Sequence, residues 1–441
     1  MLRPIVKWNA LVNEASRIPE LIRDAFRVAM TGRKGPVHLD LPRNLLYETI
    51  DYEPLRKELY RPKTSPHPDP VNIEKAAELL LMALKPVIVA GAGVKDANAA
   101  EDVTRLAELL KIPIVVSYGH LDAVPGDHPL AAGQLGRDGS EIARQLVSRA
   151  DVIFAIGTRL SHFTTYYSSS YVSPTAKIIQ VEIEPREIGR NFPVTLGIWG
   201  DAKTVTQALT AEVGKHLKDA TSTNSERFTQ IVEVIRGWRE KIMKEGSSDV
   251  TPIKPQRIYR EIREILPRNA IVVMDDGSSC AFSNHMLEFY EPRTFISPLD
   301  FACVGFGYPA ALGAKIARPD RYVVNISGDF GFLMSAHEIA TAMKYNIPVV
   351  AVVLNNGCNG AEKAYQRTFF KGRYYGCDLV NPDFSKLAES FGAFGARIER
   401  ASEFREALIE ALESGRPALI EVPIDPEELG PPARSDAVPQ T

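Results

Sequence analysis

The chain has 441 residues, of which 45% are hydrophobic and 24% charged, and its formal net charge is −3. This length is too great for one compact core, so we expect two or three domains. The charge balance excludes a strongly basic, nucleic-acid-binding protein, and the longest apolar runs are strand-sized, which argues against a membrane span. Four cysteines without a CxxC pair are typical of a reduced, cytoplasmic protein.

The first fifty residues are predicted to form one helix and one strand. Ile18, Leu21 and Ala25 fall on one helical face, and residues 35–42 alternate as a strand does. Because one helix and one strand cannot bury a core, we expect this segment to be the end of a domain whose front is absent. Residues 51–70, rich in proline and charge, are predicted to be a linker.

Residues 71–215 alternate between helical patterns and apolar strands, which predicts an α/β domain with a parallel sheet covered on both faces. The predicted strands are Pro86–Ala90, Ile112–Ser117, Asp151–Ile156 and Lys177–Ile183. A helical linker is predicted over residues 216–254.

Residues 255–426 repeat this alternation and are predicted to form a further α/β domain, followed by a tail over 427–441. The predicted strands are Ala270–Met274, Tyr322–Ile326, Val349–Leu354 and Ala418–Val422. The predicted helices include Ala310–Ala317 and Ser335–Lys344.

Two polar turns follow neighbouring strands of this last domain, Gly328-Asp329 after one and Asn355-Asn356-Gly357 after the next. Both turns are expected at the carboxyl edge of the parallel sheet, where ligands bind. Asp329, Asn356 and a main-chain carbonyl near Cys358 suit a Mg²⁺ ion that takes its other ligands from water and a diphosphate. Each turn alone is also explained as a simple strand end, but the pair at this spacing favours the metal site.

These motifs resemble those of thiamine diphosphate-dependent enzymes of the acetolactate synthase, pyruvate decarboxylase and sulfoacetaldehyde acetyltransferase superfamily. The matching segments are Gly32–Arg43, Val181–Asn191, Asp275–Gly277, Gly305–Ala314, Gly328-Asp329 and Leu354–Asn356, in the expected order. The resemblance implies a remnant of a pyrimidine-binding α/β domain over 1–50, a middle α/β domain over 71–215 and a doubly wound, diphosphate-binding α/β domain over 255–426.

The resemblance also implies the site residues. Asp329 and Asn356 would hold Mg²⁺, and the apolar Val304 would lie under thiamine diphosphate, although core packing explains Val304 nearly as well. The residues implied along the diphosphate are Gly277, Ser278, Gly328, Phe330 and Gly331. Phe330 stands where the family usually has a small residue, so its ring is a departure that can narrow the channel.

The catalytic residues are unknown from this sequence. No residue from Met1 to Glu48 aligns with the glutamate by which the family activates its cofactor. We therefore expect a homo-oligomer, a separate pyrimidine-domain subunit, or both. Some family members hold FAD in the middle domain, but Gly91-Ala92-Gly93 lacks a third glycine and a following acid, so we do not expect FAD here.

The implied activity is acetolactate synthase-like, a two-carbon acyl transfer from a 2-oxo acid or a related small carbonyl substrate. Residues Gly360–Gln366 are instead similar to sulfoacetaldehyde acetyltransferases, which gives one alternative. A non-catalytic cofactor-binding or regulatory subunit is a second alternative, and an NAD-linked enzyme is a third. Glu362 and Lys363 are candidates to face the substrate, although an exposed charge pair at a helix start explains them equally well.

Overall fold

The computed structural model describes residues 1–61, 65–217, 225–298 and 301–430. Its first unit is a two-stranded parallel sheet and one helix: β1 Trp8–Leu11, α1 Ile18–Met30 and β2 Val37–Asp40. Val12, Leu21 and Leu45 form its small core. The expectation of a single strand in the first fifty residues is therefore wrong, because β1 has only four residues and too little alternation to be detected alone.

The second unit is a six-stranded parallel sheet with helices on both faces. Its strands lie in the order β5-β4-β3-β6-β7-β8. All five residues of β3 and of β6 are buried, because both faces of the sheet are covered. Its elements are α2 Pro70–Leu81, β3 Pro86–Ala90, α3 Ala92–Asp96, α4 Ala100–Leu110, β4 Ile114–Val116, β5 Ala131–Gln134, α5 Glu141–Ser148, β6 Val152–Ile156, α6 His162–Thr165, β7 Lys177–Glu182, β8 Leu196–Trp199 and α7 Ala202–Leu217.

A long helix, α8 Ser225–Glu245, connects this unit to the third one. Its residues Ile231, Ile235 and Ile242 belong to one buried cluster that runs from the second sheet to one face of the third. The helix is thus packed into the core along its length. Parts of the predicted linkers, residues 62–64 and 218–224, lie outside the described residues, as does most of the predicted tail, 431–441.

The third unit is also a six-stranded parallel sheet, with strands in the order β10-β9-β11-β12-β14-β13. A second buried cluster covers its other face. Its elements are α9 Pro255–Ile265, β9 Ile271–Met274, α10 Ser278–Met286, β10 Phe295–Ile296, α11 Gly307–Ala317, β11 Val323–Gly328, α12 Asp329–Ser335, α13 Glu338–Tyr345, β12 Val350–Asn355, α14 Gly360–Phe369, α15 Phe384–Ser390, β13 Phe394–Arg397, α16 Phe404–Glu413 and β14 Ala418–Pro423.

The α/β fold with parallel sheets is confirmed, and each strand predicted in the second and third units is present within one to two residues of its predicted ends. The helix predicted over Ser335–Lys344 is present as α13 Glu338–Tyr345, which begins three residues later and ends one residue later than predicted. A separate short helix, α12, lies directly after β11.

Candidate active site at the carboxyl edge of the third sheet

The two predicted polar turns meet at the carboxyl edge of the third sheet. Strands β11 and β12 are parallel neighbours, and Gly328 pairs in register with Leu354. The backbone N–H of Gly357 donates to Asp329 Oδ2 at 2.9 Å. The turn after β12 is therefore hydrogen-bonded to the first residue of α12, as expected for strands joined by a crossover helix.

Asp329 is a buried carboxylate with a fixed orientation. Its Oδ1 accepts from the N–H of Phe330 at 2.9 Å, and its Oδ2 accepts from Asn381 Nδ2 at 2.7 Å as well as from Gly357. Burial raises the pKa of Asp329, while these donors oppose the rise. A cation beside this carboxylate would stabilise its charged form further, since opposite charge favours ionisation.

Asn355, the last residue of β12, and Asn356 after it face different surroundings. Asn355 is tied to the interior, because its Nδ2 donates to Glu421 Oε1 at 2.9 Å and its Oδ1 accepts from Asn381 Nδ2 at 2.8 Å. Asn356 Oδ1 accepts from the N–H of Cys358 at 3.2 Å, and its side chain lines an open cleft. The first asparagine therefore anchors the turn, and the second is presented to the cleft.

The cleft, of about 90 Å³, is enclosed by the ends of β11 and β12, the start of α10, the loop before α11 and the start of α14. Its lining includes Gly277, Ser278, Val304, Gly328, Asp329, Phe330, Gly331, Asn356, Cys358 and Glu362. The structure thus brings together all the residues predicted to hold the cofactor and the metal, and one of the two candidates for substrate contact.

Lys363, the other candidate for substrate contact, is directed elsewhere. Its Nζ lies 3.9 Å from Asp378 Oδ1 and 5.5 Å from the centre of the Tyr374 ring. These contacts explain the lysine without a substrate. Glu362 is exposed at the rim of the cleft, in the first turn of α14.

Glycines give the cleft its shape. A Cβ on Gly331 would lie 3.0 Å from Asp275 Cγ and even closer to its Oδ2, and a Cβ on Gly360 would lie 3.0 Å from both Asn356 Nδ2 and Ser278 Oγ. Gly277, which caps α10, has a φ of +115°, a conformation that favours glycine. Side chains at Gly331 and Gly360 would displace the polar groups around the cleft, and one at Gly277 would strain the backbone.

The cleft fits a diphosphate with a bound magnesium ion. Helices α10 and α14 both begin at its wall, so backbone N–H groups and helix dipoles favour an anion there. Asp329 and Asn356 supply one carboxylate and one amide, the hard oxygen ligands that Mg²⁺ combines with phosphate oxygens. Among the described residues no group of three or more His, Cys, Asp or Glu side chains is placed to hold a metal, so phosphate oxygens would have to complete the ligand set.

Two residues that support the cleft, one buried and one half-buried, were not assigned a role from the sequence. Asp275 accepts from the N–H groups of Asp276 and Gly305 at 2.8 and 2.9 Å, and burial raises its pKa to about 6. Asn381 bridges Asp329 and Asn355 from a loop that precedes α15. The only sequence signal for Asn381 is a turn-forming Asn-Pro-Asp segment, which says nothing about the partner of its side chain.

The glycine turn of the second sheet is explained by packing. A Cβ on Gly93 would lie 2.6 Å from Gly157 Cα, so Gly91 and Gly93 allow the ends of β3 and β6 to approach closely. Arg159 lines a pocket of about 230 Å³ beside this turn. The absence of FAD from this pocket stays a prediction.

Family models define the class of protein. The model for the C-terminal TPP binding domain of thiamine pyrophosphate enzymes matches residues 275–422, which contain the cleft, and the model for the central domain of these enzymes matches residues 73–209. The chain belongs to the thiamine pyrophosphate enzyme family. Among the described residues, no helix combines the length and apolar character that crossing a bilayer requires.

The individual proteins that the chain resembles include acetolactate synthase large subunits and sulfoacetaldehyde acetyltransferases. A probable acetolactate synthase large subunit of Methanocaldococcus jannaschii is 38% identical over 98% of this chain and 73% of its own length. A sulfoacetaldehyde acetyltransferase of Rhodobacter capsulatus is 35% identical over 99% of this chain and 77% of its own length. The acetolactate synthase large subunit of Haemophilus influenzae is 33% identical over 97% of this chain and 74% of its own length.

Proposed function

We propose that the chain binds thiamine diphosphate through Mg²⁺ at the carboxyl edge of the third sheet. Asp329 and Asn356 hold the metal with their side chains, and the main-chain carbonyl of Cys358 is the third protein ligand. The main support for this proposal is that the ends of β11 and β12 meet at the wall of a cleft shaped by glycines. There the N–H of Gly357 donates a hydrogen bond to the carboxylate of Asp329.

The residues predicted to hold the cofactor each have a role in this proposal. Gly277, Ser278, Gly328, Phe330 and Gly331 place backbone N–H groups along the diphosphate. The Phe330 side chain need not enter the cleft, since only its backbone is required there. Val304 is 37% exposed at the cleft wall, and we assign it the apolar support of the cofactor ring.

We propose an acetolactate synthase-like reaction, in which a two-carbon unit passes from a 2-oxo acid to a carbonyl acceptor. When bound, thiamine diphosphate supplies the electron sink for breaking the carbon–carbon bond next to a carbonyl. The protein supplies position and fixed dipoles, and Glu362 at the rim of the cleft faces the substrate side. The similarity to acetolactate synthase large subunits over nearly the whole chain supports this choice.

Acetyl transfer from sulfoacetaldehyde is the second candidate. It is favoured by relatives of that name at 33–35% identity over 99% of this chain. Turnover of pyruvate against sulfoacetaldehyde, each with Mg²⁺ and thiamine diphosphate, distinguishes the two. A chain that binds the cofactor and turns over neither substrate, alone or with a pyrimidine-domain protein, would be a non-catalytic subunit, and both reactions would be refuted.

We also propose that residues 1–50 belong to a pyrimidine-binding domain and that another subunit packs against them. Leu11, Phe26 and Met30 of this first unit are each about half exposed or more, although they lie on core-forming elements. An apolar surface of this kind is stabilised when another subunit covers it. Adding a protein that carries a pyrimidine-binding domain should therefore raise turnover. Unchanged turnover would contradict a partner of this kind.

Cofactor binding is tested with Asp329→Ala, measured by calorimetry with thiamine diphosphate in the presence and absence of Mg²⁺. We expect loss of the magnesium-dependent binding, because the carboxylate ligand is gone. Asp69→Ala is the matched control, since Asp69 also sits at a helix start but belongs to the second unit and lines no part of the cleft. Asp329→Ala binding as tightly as the control would refute the assignment.

A further inference from the structure

The loop between β5 and α5 brings an arginine to the boundary between the second and third units. Arg137 lies in this loop, and its side chain is 32% exposed. Its charge acts on Asp276, which lines the diphosphate cleft: burial raises the pKa of Asp276, and the guanidinium of Arg137 opposes that rise. Asp276 directly precedes Gly277, the residue that caps α10. Arg137 is therefore a positive charge that the second unit places near the cleft of the third.

The loop that carries Arg137 is held in place through its backbone. The N–H of Arg137 donates to the carbonyl of Phe163 at 2.9 Å, and its carbonyl accepts from Gln134 Nε2 at 3.1 Å. A Cβ on Gly136 would collide with the same Phe163 carbonyl oxygen, so glycine allows the close approach of the two segments. The guanidinium of Arg137 lies 5.6 Å from the centre of the Phe163 ring, a cation–π contact. The arginine is thus positioned before any ligand binds.

The guanidinium of Arg137 makes few bonds of its own. Its Nε lies 3.5 Å from Asp138 Oδ2, and within the described residues none of its N–H groups donates a hydrogen bond. A guanidinium carries several N–H donors in a planar fork that matches a carboxylate or a similar oxyanion. Because the side chain is partly exposed, these donors remain accessible to a small ligand.

Two tyrosines of the second unit lie beside Arg137. The Tyr118 ring packs on the Phe163 ring, with the ring centres 5.4 Å apart. Both Tyr118 and Tyr166 are close enough to Arg137 for their phenol groups to interact electrostatically with its guanidinium. Burial raises the pKa of both tyrosines, so each keeps its proton and can donate it in a hydrogen bond. A cation with neighbouring hydroxyl donors is suited to a carboxylate or a sulfonate.

The diphosphate cleft has no positive charge in its own wall. Of its lining residues in the described ranges none is Lys, Arg or His, and Lys363 is turned towards Asp378. The wall includes carboxylates instead, such as Asp276 and Glu362. An anionic substrate that reacts in this cleft therefore needs a cation from outside the wall, and Arg137 can supply it.

We propose that Arg137 binds the anionic group of the substrate, a carboxylate or a sulfonate carried by a small carbonyl compound. This inference rests on the proposed thiamine diphosphate-dependent function, and it assigns the charged end of the substrate to the second unit. The guanidinium donates hydrogen bonds to the oxygens of the anion, and the hydroxyl of Tyr118 donates a further one. The carbonyl end of the substrate then points towards the cleft.

Binding of unreactive substrate analogues tests this proposal without turnover. Oxamate carries a carboxylate next to a carbonyl group, isethionate carries a sulfonate on a two-carbon chain, and ethyl oxamate is the neutral counterpart of oxamate. Each is titrated by calorimetry into the chain saturated with Mg²⁺ and thiamine diphosphate. We expect at least one of the two anions to bind more tightly than ethyl oxamate. The tighter anion identifies the group, carboxylate or sulfonate, that the site takes.

Arg137→Met removes the charge and keeps a long side chain. We expect the preferred anion to bind about tenfold or more weakly, the loss expected for charge-assisted hydrogen bonds, with unchanged affinity for ethyl oxamate and for the cofactor. Arg137→Lys should recover part of the affinity, since it keeps the charge but not the planar fork. Arg144→Met is the matched control and should bind as the parent does. The Arg144 side chain is 30% exposed, but it lies on α5 and lines no part of the cleft.

The possible outcomes separate this proposal from the proposed function. A parent chain that fails to bind thiamine diphosphate with Mg²⁺ would refute both. A parent that binds the cofactor but neither anion would overturn the role of Arg137 alone. Equal anion affinities of Arg137→Met and Arg144→Met would do the same.

Tyr118→Phe provides a second test should Arg137→Met fail to fold. It removes one hydroxyl and keeps the ring that packs on Phe163. We expect the preferred anion to bind about threefold more weakly, as for the loss of one hydrogen bond, while ethyl oxamate and the cofactor bind as before. Unchanged affinity for the anion would overturn the site.

Discussion

Replacing Gly331 by alanine tests how the diphosphate cleft is constructed. The added methyl group would lie 3.0 Å from Asp275 Cγ, closer still to its Oδ2, and 3.5 Å from Val304 Cγ1. Asp275 is fully buried, and its oxygens accept from the N–H of Gly305 at 2.9 and 3.1 Å. The carboxylate cannot yield to the methyl group without weakening these bonds.

The expected change in the free energy of unfolding follows from two opposing effects. Alanine in place of glycine inside a helix normally stabilises by about 1 kcal/mol. Disrupting one or two hydrogen bonds to a carboxylate costs about 1.5–3 kcal/mol each. We therefore expect Gly331→Ala to lower the free energy of unfolding by about 1–4 kcal/mol, measured by urea denaturation.

Gly328→Ala is the matched control for this variant. It adds the same methyl group three residues earlier, where no atom would lie within 4 Å and the backbone φ is −71°. We expect its unfolding free energy to stay close to that of the unmodified chain. Equal stability of the two variants would refute the idea that Asp275 and Gly331 form a tightly packed pair.

Two further predictions concern the buried Glu182 and the half-buried Asn381. Burial and the nearby Glu187 raise the pKa of Glu182 from 4.5 to about 7. The folded state therefore keeps a proton that the unfolded chain loses, and this group's contribution to stability falls as pH rises from about 4.5 to 7. Across that pH range the parent should lose about 3 kcal/mol of unfolding free energy that the Glu182→Gln variant keeps. Urea midpoints of variant and parent that change in parallel from pH 5 to 8 would contradict this prediction. Asn381→Leu should weaken magnesium-dependent cofactor binding roughly tenfold or more, because outer partners orient a ligand carboxylate such as Asp329. Calorimetry with circular dichroism as a folding control measures it, and unchanged affinity would show that Asn381 has no positioning role.

The strands and the edge at which the cleft forms follow from local sequence pattern. Apolar runs such as Val349–Leu354 separated by helical periods predict a parallel sheet, and parallel strands end at one edge. That rule alone predicted that Asp329 and Asn356 would lie together. The short strand β1 was missed because it is defined by its pairing with β2 and not by its own four residues.

The supporting contacts depended on the tertiary structure. Glu421 lies near the end of the chain, yet its carboxylate accepts from Asn355 and from Arg397 Nη1, the latter at 2.6 Å. Asn381 reaches Asp329 across 52 residues of sequence. No local pattern encodes such partners, because a side-chain hydrogen bond depends on which strands become neighbours and how loops cross them.

The sequence by itself determined the two α/β sheets and the sheet edge at which Asp329 and Asn356 lie, because hydrophobic period and turn chemistry act over a few residues. The other predicted cleft residues were implied by the family resemblance. Only the tertiary structure decided that Lys363 turns away from the cleft towards Asp378 and that Asp275 supports Gly331. Those outcomes depend on how separate units pack, and burial of a single side chain is set by all the elements around it.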